Sequence, residues 1–434
     1  MTVHLAYGRN GLDVEIPDQI DTQVLRFNDL PEIENPARAI EYSFQNPIGG
    51  APLEELARGK NSACIVICDV TRPVPNPQIL LPMLATLERA GVMRAQITIL
   101  IATGLHRPNE GDELEEMIGA HVKNNYRVLN HDARDSSTHT DLGEIAFEGG
   151  SARVALNSSY LEADLKIATG LLEPHFMAGY SGGRKLICPG IASAETIAQF
   201  HSPRMIGDAR SFAGNLERNP VHAMSRAVAG QVGVDFICNV TLNEARRVTG
   251  VFSGDLDAAH QAGIALVDRQ SKVACRKADI VVTTCAGYPL DTTLYQVVKG
   301  MVCALPAAKK GGTIIIAAEM SQGLGGEEFS HMCRTLSTRS EFIERIFSSP
   351  VTFDQWQLQK MMQVLEECEI VVVTDGIAPQ TLRDALLVPC PTVELAIENA
   401  RHKHGNRATL TVIPEGPYVT PMPEETPRRM AQAA

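Results

Sequence analysis

The stretch ADLKIATGLLEPHFMAGYSGGRKLICPGIAS, residues 163–193, holds the key to the chain. It opens on an apolar run, ADLKIATG, that reads as a β-strand. It then passes through glycines and polar residues into a helical pattern. A strand, a glycine-bearing turn and a helix in succession are the repeating unit of a parallel sheet. Glycines let backbone approach a ligand closely, and exposed amides at a helix start attract anions. Lys185 fits a phosphate ligand, a nucleophile or a plain surface charge. His175 fits an acid/base or a packing residue. The stretch alone does not choose among these.

Outward from it the same unit recurs. Strands are expected at 63–69, 95–104, 163–170, 234–242, 278–287, 312–319, 369–376 and 408–416. Helical patterns such as PQILLPMLATLERAG, DELEEMIGAHVKNN and DQWQLQKMMQVLEEC lie between them. Apolar strands alternating with amphipathic helices predict an α/β fold of mostly parallel sheets covered by helices. At 434 residues the chain exceeds one ordinary core. The segment 257–278 reads as a long helix running into a link. It predicts an N-terminal domain over 1–270, a C-terminal domain over 271–415 and a Pro-rich, fraying tail over 416–434.

Composition narrows the function. A formal charge of -12 argues against a nucleic-acid binder, which would carry a basic face. It leaves an anionic substrate open, because local basic residues dominate a cleft. The N-terminus shows no apolar signal core, and no run approaches the roughly 20 apolar residues that span a bilayer. A cytoplasmic protein with no membrane partner is the expectation. The ten cysteines show no CxxC spacing and read as buried thiols. There is no GxGxxG after a strand, no GxxxxGK[ST] and no HExxH, so common dinucleotide, P-loop and zincin designs are disfavoured.

In open parallel sheets ligands sit outside the carboxyl ends of the strands. Asp69, Val70, Thr71 and Arg72 follow one strand, His106 another and His175 a third. Tyr295, Gln296 and Lys299 follow the strand at 278–287. Asp69 and Arg72 suit a ribose hydroxyl and an anion, or simply each other. A lone histidine is usually structural, but two at equivalent strand ends suit a pair trading donor and acceptor roles near neutral pH. His201 closes a helical run and reads as a surface cap or a metal ligand. His131, His222, His331 and His404 have no evident partner and read as structural. Tyr295 and Lys299, at i and i+4, share a helix face: an ordinary edge, or donors for a carboxylate. Trp356 opens a helix and, alone, reads as core.

Taken together these motifs closely resemble the lactate racemase family, the nickel-pincer-nucleotide enzymes, essentially end to end. The shared strings include NPIGG (46–50), LEELARGK (53–60), DVTRPVP (69–75), ATGLHRP (102–108) and HFMAGYSGGRKLICPGIAS (175–193). They continue with GNLERNPVH (214–222), GYPLDTTLYQVVKGM (287–301), GGTIII (311–316) and FDQW (353–356). The resemblance implies two α/β domains with the active site in the interdomain cleft. It implies a racemase or epimerase that inverts C2 of a small-molecule 2-hydroxy acid by hydride abstraction and return. Its cofactor would be nickel held by pyridinium-3,5-bisthiocarboxylic acid mononucleotide, tethered to Lys185 and supplied by cofactor-synthesis enzymes. His201 matches the nickel ligand, His106 and His175 the alternating acid/base pair, and Asp69, Val70, Thr71 and Arg72 the nucleotide loop. Arg72, Gln296 and Lys299 match substrate contacts, and Tyr295 and Trp356 aromatic pocket residues. The stretch EMSQGLGGEEF (319–329) is more polar than a lactate enzyme would be expected to carry, notably at Gln322, so longer 2-hydroxy acids and sugar acids stay open. A lysine Schiff-base or nicotinamide-type enzyme at Lys185, and a non-catalytic carrier or binding protein for the nickel nucleotide, are the rival readings. The histidine pair favours an enzyme.

Overall fold

The computed structural model describes residues 1–424. These form two compact units: residues 28–270 with 350–352, and residues 1–27 with 271–349 and 353 onward.

The first unit is built on a six-stranded sheet. Its order is Val248–Gly254, Phe236–Leu242, Leu165–Leu171, Ala63–Cys68, Ile97–Ala102, Arg127–Asn130. All neighbours are parallel except the antiparallel edge pair Phe236–Leu242 and Val248–Gly254. The inner strands are buried on both faces, as the run ACIVIC shows along its length. Ile65, Ile67, Ile99, Ile101 and Ile167 pack with the helices Pro36–Gln45 and Asn76–Arg89 through Ile40, Phe44, Ile79, Leu80 and Met83. The chain leaves Ala63–Cys68 toward one edge and returns to pair Leu165–Leu171 on its other side. Strand order therefore reverses between these two strands, and the crevice beyond their carboxyl ends is where such a sheet receives a ligand. The expected helix over 112–125 is two helices, Gly111–Ile118 and Ala120–Asn125, broken at Gly119, whose φ of 84° lies in the left-handed region.

The second unit holds a six-stranded, fully parallel sheet. Its order is Val388–Cys390, Glu369–Val373, Ala308–Ala317, Ala278–Thr284, Thr409–Ile413, Asp21–Val24. One face packs on the helices Leu294–Ala304 and Gln355–Glu367, the other on Val393–His404.

Two of the expected domain assignments need correction. Residues 1–27 lie with the second unit, not the first. Asp21–Val24 adds an edge strand to Thr409–Ile413, Val3, Leu5, Val14 and Ile16 are buried in that unit's core, and the Gly8 amide donates to buried Asp291 at 2.7 Å. The beginning of the presumed tail is also structured. Gly416–Tyr418 is a 3₁₀ turn and Thr420–Pro423 pairs in parallel with Lys272–Cys275. The rest of that tail, 425–434, lies outside the described residues.

Candidate active site

The loop after Ala63–Cys68 carries Asp69 to Arg72. Asp69 is 5% exposed, and its Oδ2 lies 2.6 Å from His106 Nδ1. Thr71 donates to the other oxygen from its hydroxyl at 2.6 Å and its amide at 3.2 Å. Burial pushes the Asp69 carboxyl up, but the charge and hydrogen bond of His106, the Thr71 bond and Arg72 outweigh it and hold it below its ordinary value. Val70 donates its amide to Asn109 Oδ1 at 3.3 Å. His106 sits on the loop after the neighbouring strand, its ring about half exposed.

Arg72 turns toward the strand on the other side. Its Nε lies 2.7 Å from Glu173 Oε1, with both side chains mostly buried. Sequence reasoning missed Glu173. The available signal was its place in LLEPH, just past the end of a strand adjacent to the one before Arg72. Ser181 fixes this segment: its hydroxyl donates to Leu171 O at 2.7 Å, and the Glu173 amide donates to that hydroxyl at 3.0 Å. His175 follows on the two-residue strand Pro174–His175, paired with Gly179–Tyr180. Its Nδ1 accepts from the amides of Met177 at 3.3 Å and Ala178 at 3.1 Å.

The structure separates the Arg-Lys pair. Arg184 is 3% exposed and locked to Asp257 at 2.7 Å and to His260 Nδ1 at 3.0 Å. Lys185 lies in the 3₁₀ turn Gly183–Leu186. Gly182 opens that turn at φ 74°, and a Cβ there would meet Asn239 Oδ1 and Leu172 Cδ2, each at 2.9 Å. The loop is tied to the one bearing His106 through Gly104, whose amide donates to Gly190 O at 3.0 Å. The Asn239 Nδ2 beneath Lys185's loop is buried with no partner among the described residues.

His201 caps the helix Ala194–Phe200. Its Nδ1 lies 2.9 Å from Ile197 O, so Nδ1 carries the proton and Nε2 the lone pair. Burial drives its pKa down to about 3 against the Ile197 hydrogen bond, and the charge of Lys185 lowers it further. The ring is therefore held neutral. Among the described residues no group of three or more His, Cys, Asp or Glu side chains is placed to hold a metal, and no helix is long and apolar enough to cross a membrane. The ten cysteines are all free thiols.

In the second unit, Tyr295, Gln296 and Lys299 lie on Leu294–Ala304. The first amides of this helix are already used: Leu294 donates to Gly323 O at 2.9 Å, Tyr295 to Leu324 O at 3.0 Å and Gln296 to Thr293 Oγ1 at 3.3 Å. Lys299 donates to Gln296 Oε1, so the polar ends of these two side chains lie together. Trp356 is buried, as expected of a lone tryptophan, and donates from Nε1 to the Tyr295 hydroxyl at 3.2 Å. Burial, with Asp354 nearby, raises the Tyr295 phenol above its ordinary value and keeps it protonated. Gln322 is exposed, its amide donating to Thr292 O at 2.8 Å.

Comparison with known proteins adds a second line of observation. Residues 7–214 match the family model described as the lactate racemase N-terminal domain, and 273–420 the one described as the C-terminal domain. A lactate racemase of Lactiplantibacillus plantarum is 36% identical over 96% of this chain and 98% of its own. That of Thermoanaerobacterium thermosaccharolyticum is 34% identical over 95% and 97%. The structure of the lactate racemase apoprotein from T. thermosaccharolyticum superposes with a TM-score of 0.91, covering 98% of this chain and all of that one at 32% identity. A protein from Thermotoga maritima shares the fold alone, at 17% identity and a TM-score of 0.69, over 92% of this chain and all of its own.

Proposed function

The chain belongs to the lactate racemase family and is an isomerase, and from that premise we propose that it interconverts the two hands of lactate or a close 2-hydroxy acid. The observation that carries the reading furthest is the buried Asp69 bound to His106 Nδ1 at the point where strand order reverses. A carboxylate there orients the imidazole and stabilises its charged form. His106 would take the substrate hydroxyl proton at Nε2, and His175 would serve the opposite hand. Gln296 and Lys299 would contact the substrate, and so would Arg72, which Glu173 holds. Tyr295 and Trp356 would wall the pocket.

The residues around Lys185 suit a nickel-pincer nucleotide. A metal-ligating histidine commonly donates its other N–H to a backbone carbonyl, as His201 does to Ile197. A single imidazole is too few ligands for an all-protein nickel site, and it suits a site whose sulfur donors come from the nucleotide. Lys185 supplies an amine for the tether, and the loop Asp69–Arg72 would hold the nucleotide. When bound, the cofactor supplies an acceptor that takes the C2 hydrogen as hydride and returns it to either face. The reading places the protein in the cytoplasm, dependent on cofactor-synthesis enzymes.

The test uses protein produced together with those enzymes. Chiral chromatography should show inversion of lactate, with longer and sugar 2-hydroxy acids run beside it. Intact mass of denatured protein should show an increment that Lys185→Ala removes, together with activity. An increment that survives Lys185→Ala would refute the tether. Deuterium at C2 should stay with the substrate through early inversion in ordinary water, and full washout would refute hydride transfer.

A further inference from the structure

We propose that the two histidines are not equivalent at rest: His106 presents an unprotonated Nε2, whereas His175 presents an Nε2–H, so a base stands ready for one hand of the substrate only. This rests on the acid/base reading above and deepens it by assigning each proton to an atom.

The assignment follows from what each Nδ1 faces. Asp69 is ionised and can only accept, so the proton of the 2.6 Å contact belongs to His106 Nδ1. With a single proton on the ring, the lone pair is then on Nε2. At His175 the situation is inverted. The amides of Met177 and Ala178 both aim at Nδ1, at 3.3 and 3.1 Å, and an amide can only donate. Nδ1 must be the acceptor, and the proton sits on Nε2.

The turn that delivers those two amides is held from several sides. The His175 ring stacks on Phe176 at 5.1 Å between centroids, tilted 27°. Met177 O accepts from the buried Asn219 side chain at 2.9 Å, and Gly179 O accepts from the Gly214 amide at 2.9 Å. Gly179 has φ 81°, and a Cβ there would lie 2.3 Å from Asn215 O. To act as a base at Nε2, His175 must carry its proton on Nδ1 instead, turning a satisfied acceptor into a donor facing two donors. His106 has no such requirement: it gains a proton at Nε2 while Asp69 balances the charge.

A kinetic consequence follows. The equilibrium constant of a racemisation is one, so kcat/KM is identical for the two hands. The asymmetry must then appear as kcat and KM that differ between hands by the same factor. Two backbone hydrogen bonds displaced correspond to roughly 5- to 100-fold.

The direct test is nitrogen-15 NMR of the full-length protein labelled at histidine, near neutral pH and without substrate, with His106→Gln and His175→Gln to assign the rings. His175 is expected as a neutral ring with the proton on Nε2, and His106 with a proton on Nδ1. A His175 ring protonated on Nδ1, or one averaging the two tautomers, overturns the inference. On cofactor-loaded protein, kcat should differ between hands with KM following it, and equal kcat values overturn the kinetic part. The NMR measurement needs neither cofactor nor turnover. Failure of loaded protein to invert any 2-hydroxy acid would thus refute the functional reading alone, and a wrong tautomer this inference alone.

Discussion

The two units assemble their candidate residues in opposite ways. In the first, partners are far apart in sequence and meet because their strands are neighbours: Asp69 with His106, and Arg72 with Glu173. In the second, Tyr295, Gln296 and Lys299 are set by the pitch of one helix, with Trp356 added from another. In the proposed function the first set would hold and move protons, and the second would supply hydrogen bonds and, at Lys299, a charge. Sheet ends gather groups whose chemistry depends on one another, while a single helix face suffices where groups need only point the same way.

The contrast can be broken most severely in the first unit. His106→Ala or His175→Ala should lower kcat/KM for inversion by about 10²–10⁴-fold, the usual loss on removing a general acid or base. Asp69→Asn should act in the same direction by permitting the wrong His106 tautomer. Steady-state kinetics with both hands checks this, and a change under tenfold would mean the proton chemistry lies elsewhere.

Acid should next separate the units by stability. Burial pushes His131 and His222 down to about 4, and His201 and His260 to about 3, all in the first unit. The unfolded chain titrates these near 6.5, so below that pH it binds more protons than the folded one, and stability falls as pH falls from about 6.5 toward 4. Each histidine contributes up to about 1.4 kcal/mol per pH unit. Asp69, held low when folded, adds its loss only below about 3.9. Hydrogen exchange at pH 7 and pH 5 should show the strands Ile97–Ala102 and Leu165–Leu171 losing protection first. Earlier loss in Ala278–Thr284 would invert the comparison.

A smaller effect is expected at the donor helix. Gln296→Glu would place a carboxylate against Lys299 and remove a neutral donor, while Lys299→Met would remove the cation. Each should raise KM by about 10- to 100-fold with kcat little changed, since charged hydrogen bonds are worth about 1.5–3 kcal/mol. A fall in kcat with unchanged KM would give this helix a part in the chemistry. The smallest change is Trp356→Phe, which loses one hydrogen bond to Tyr295. It should cost about 1 kcal/mol and lower Tm by roughly 2–4 °C in a thermal melt.

The sequence was most readable where physics is local. Runs such as ACIVIC and GTIII announced buried strands, and the polar loops after the strands pointed to the side where a ligand is expected. What stayed hidden depended on distant partners. DTQV at 21–24 is short and polar, and only its pairing with Thr409–Ile413 makes it a strand. Glu173 gains meaning from strand adjacency, not spacing. In the hairpin of His139–Phe147 with Gly150–Asn157 the first strand is mostly exposed and gives little pattern, whereas the second buries Ala152, Val154 and Leu156 on one face, a short alternation that the sequence reading passed over. The motif strings fixed which histidines to examine, but only the contacts of each Nδ1 distinguish His106 from His175.

The helix Leu294–Ala304 has its leading amides engaged by Gly323, Leu324 and Thr293. Any attraction it has for anions therefore has to come from replaceable side chains, not from those amides. Divergent descendants of this scaffold can exchange residues at 296 and 299, or the exposed side chain at 322, without unravelling the helix that presents them. If those side chains meet the substrate as proposed, preference is a trait that can drift while the fold holds still.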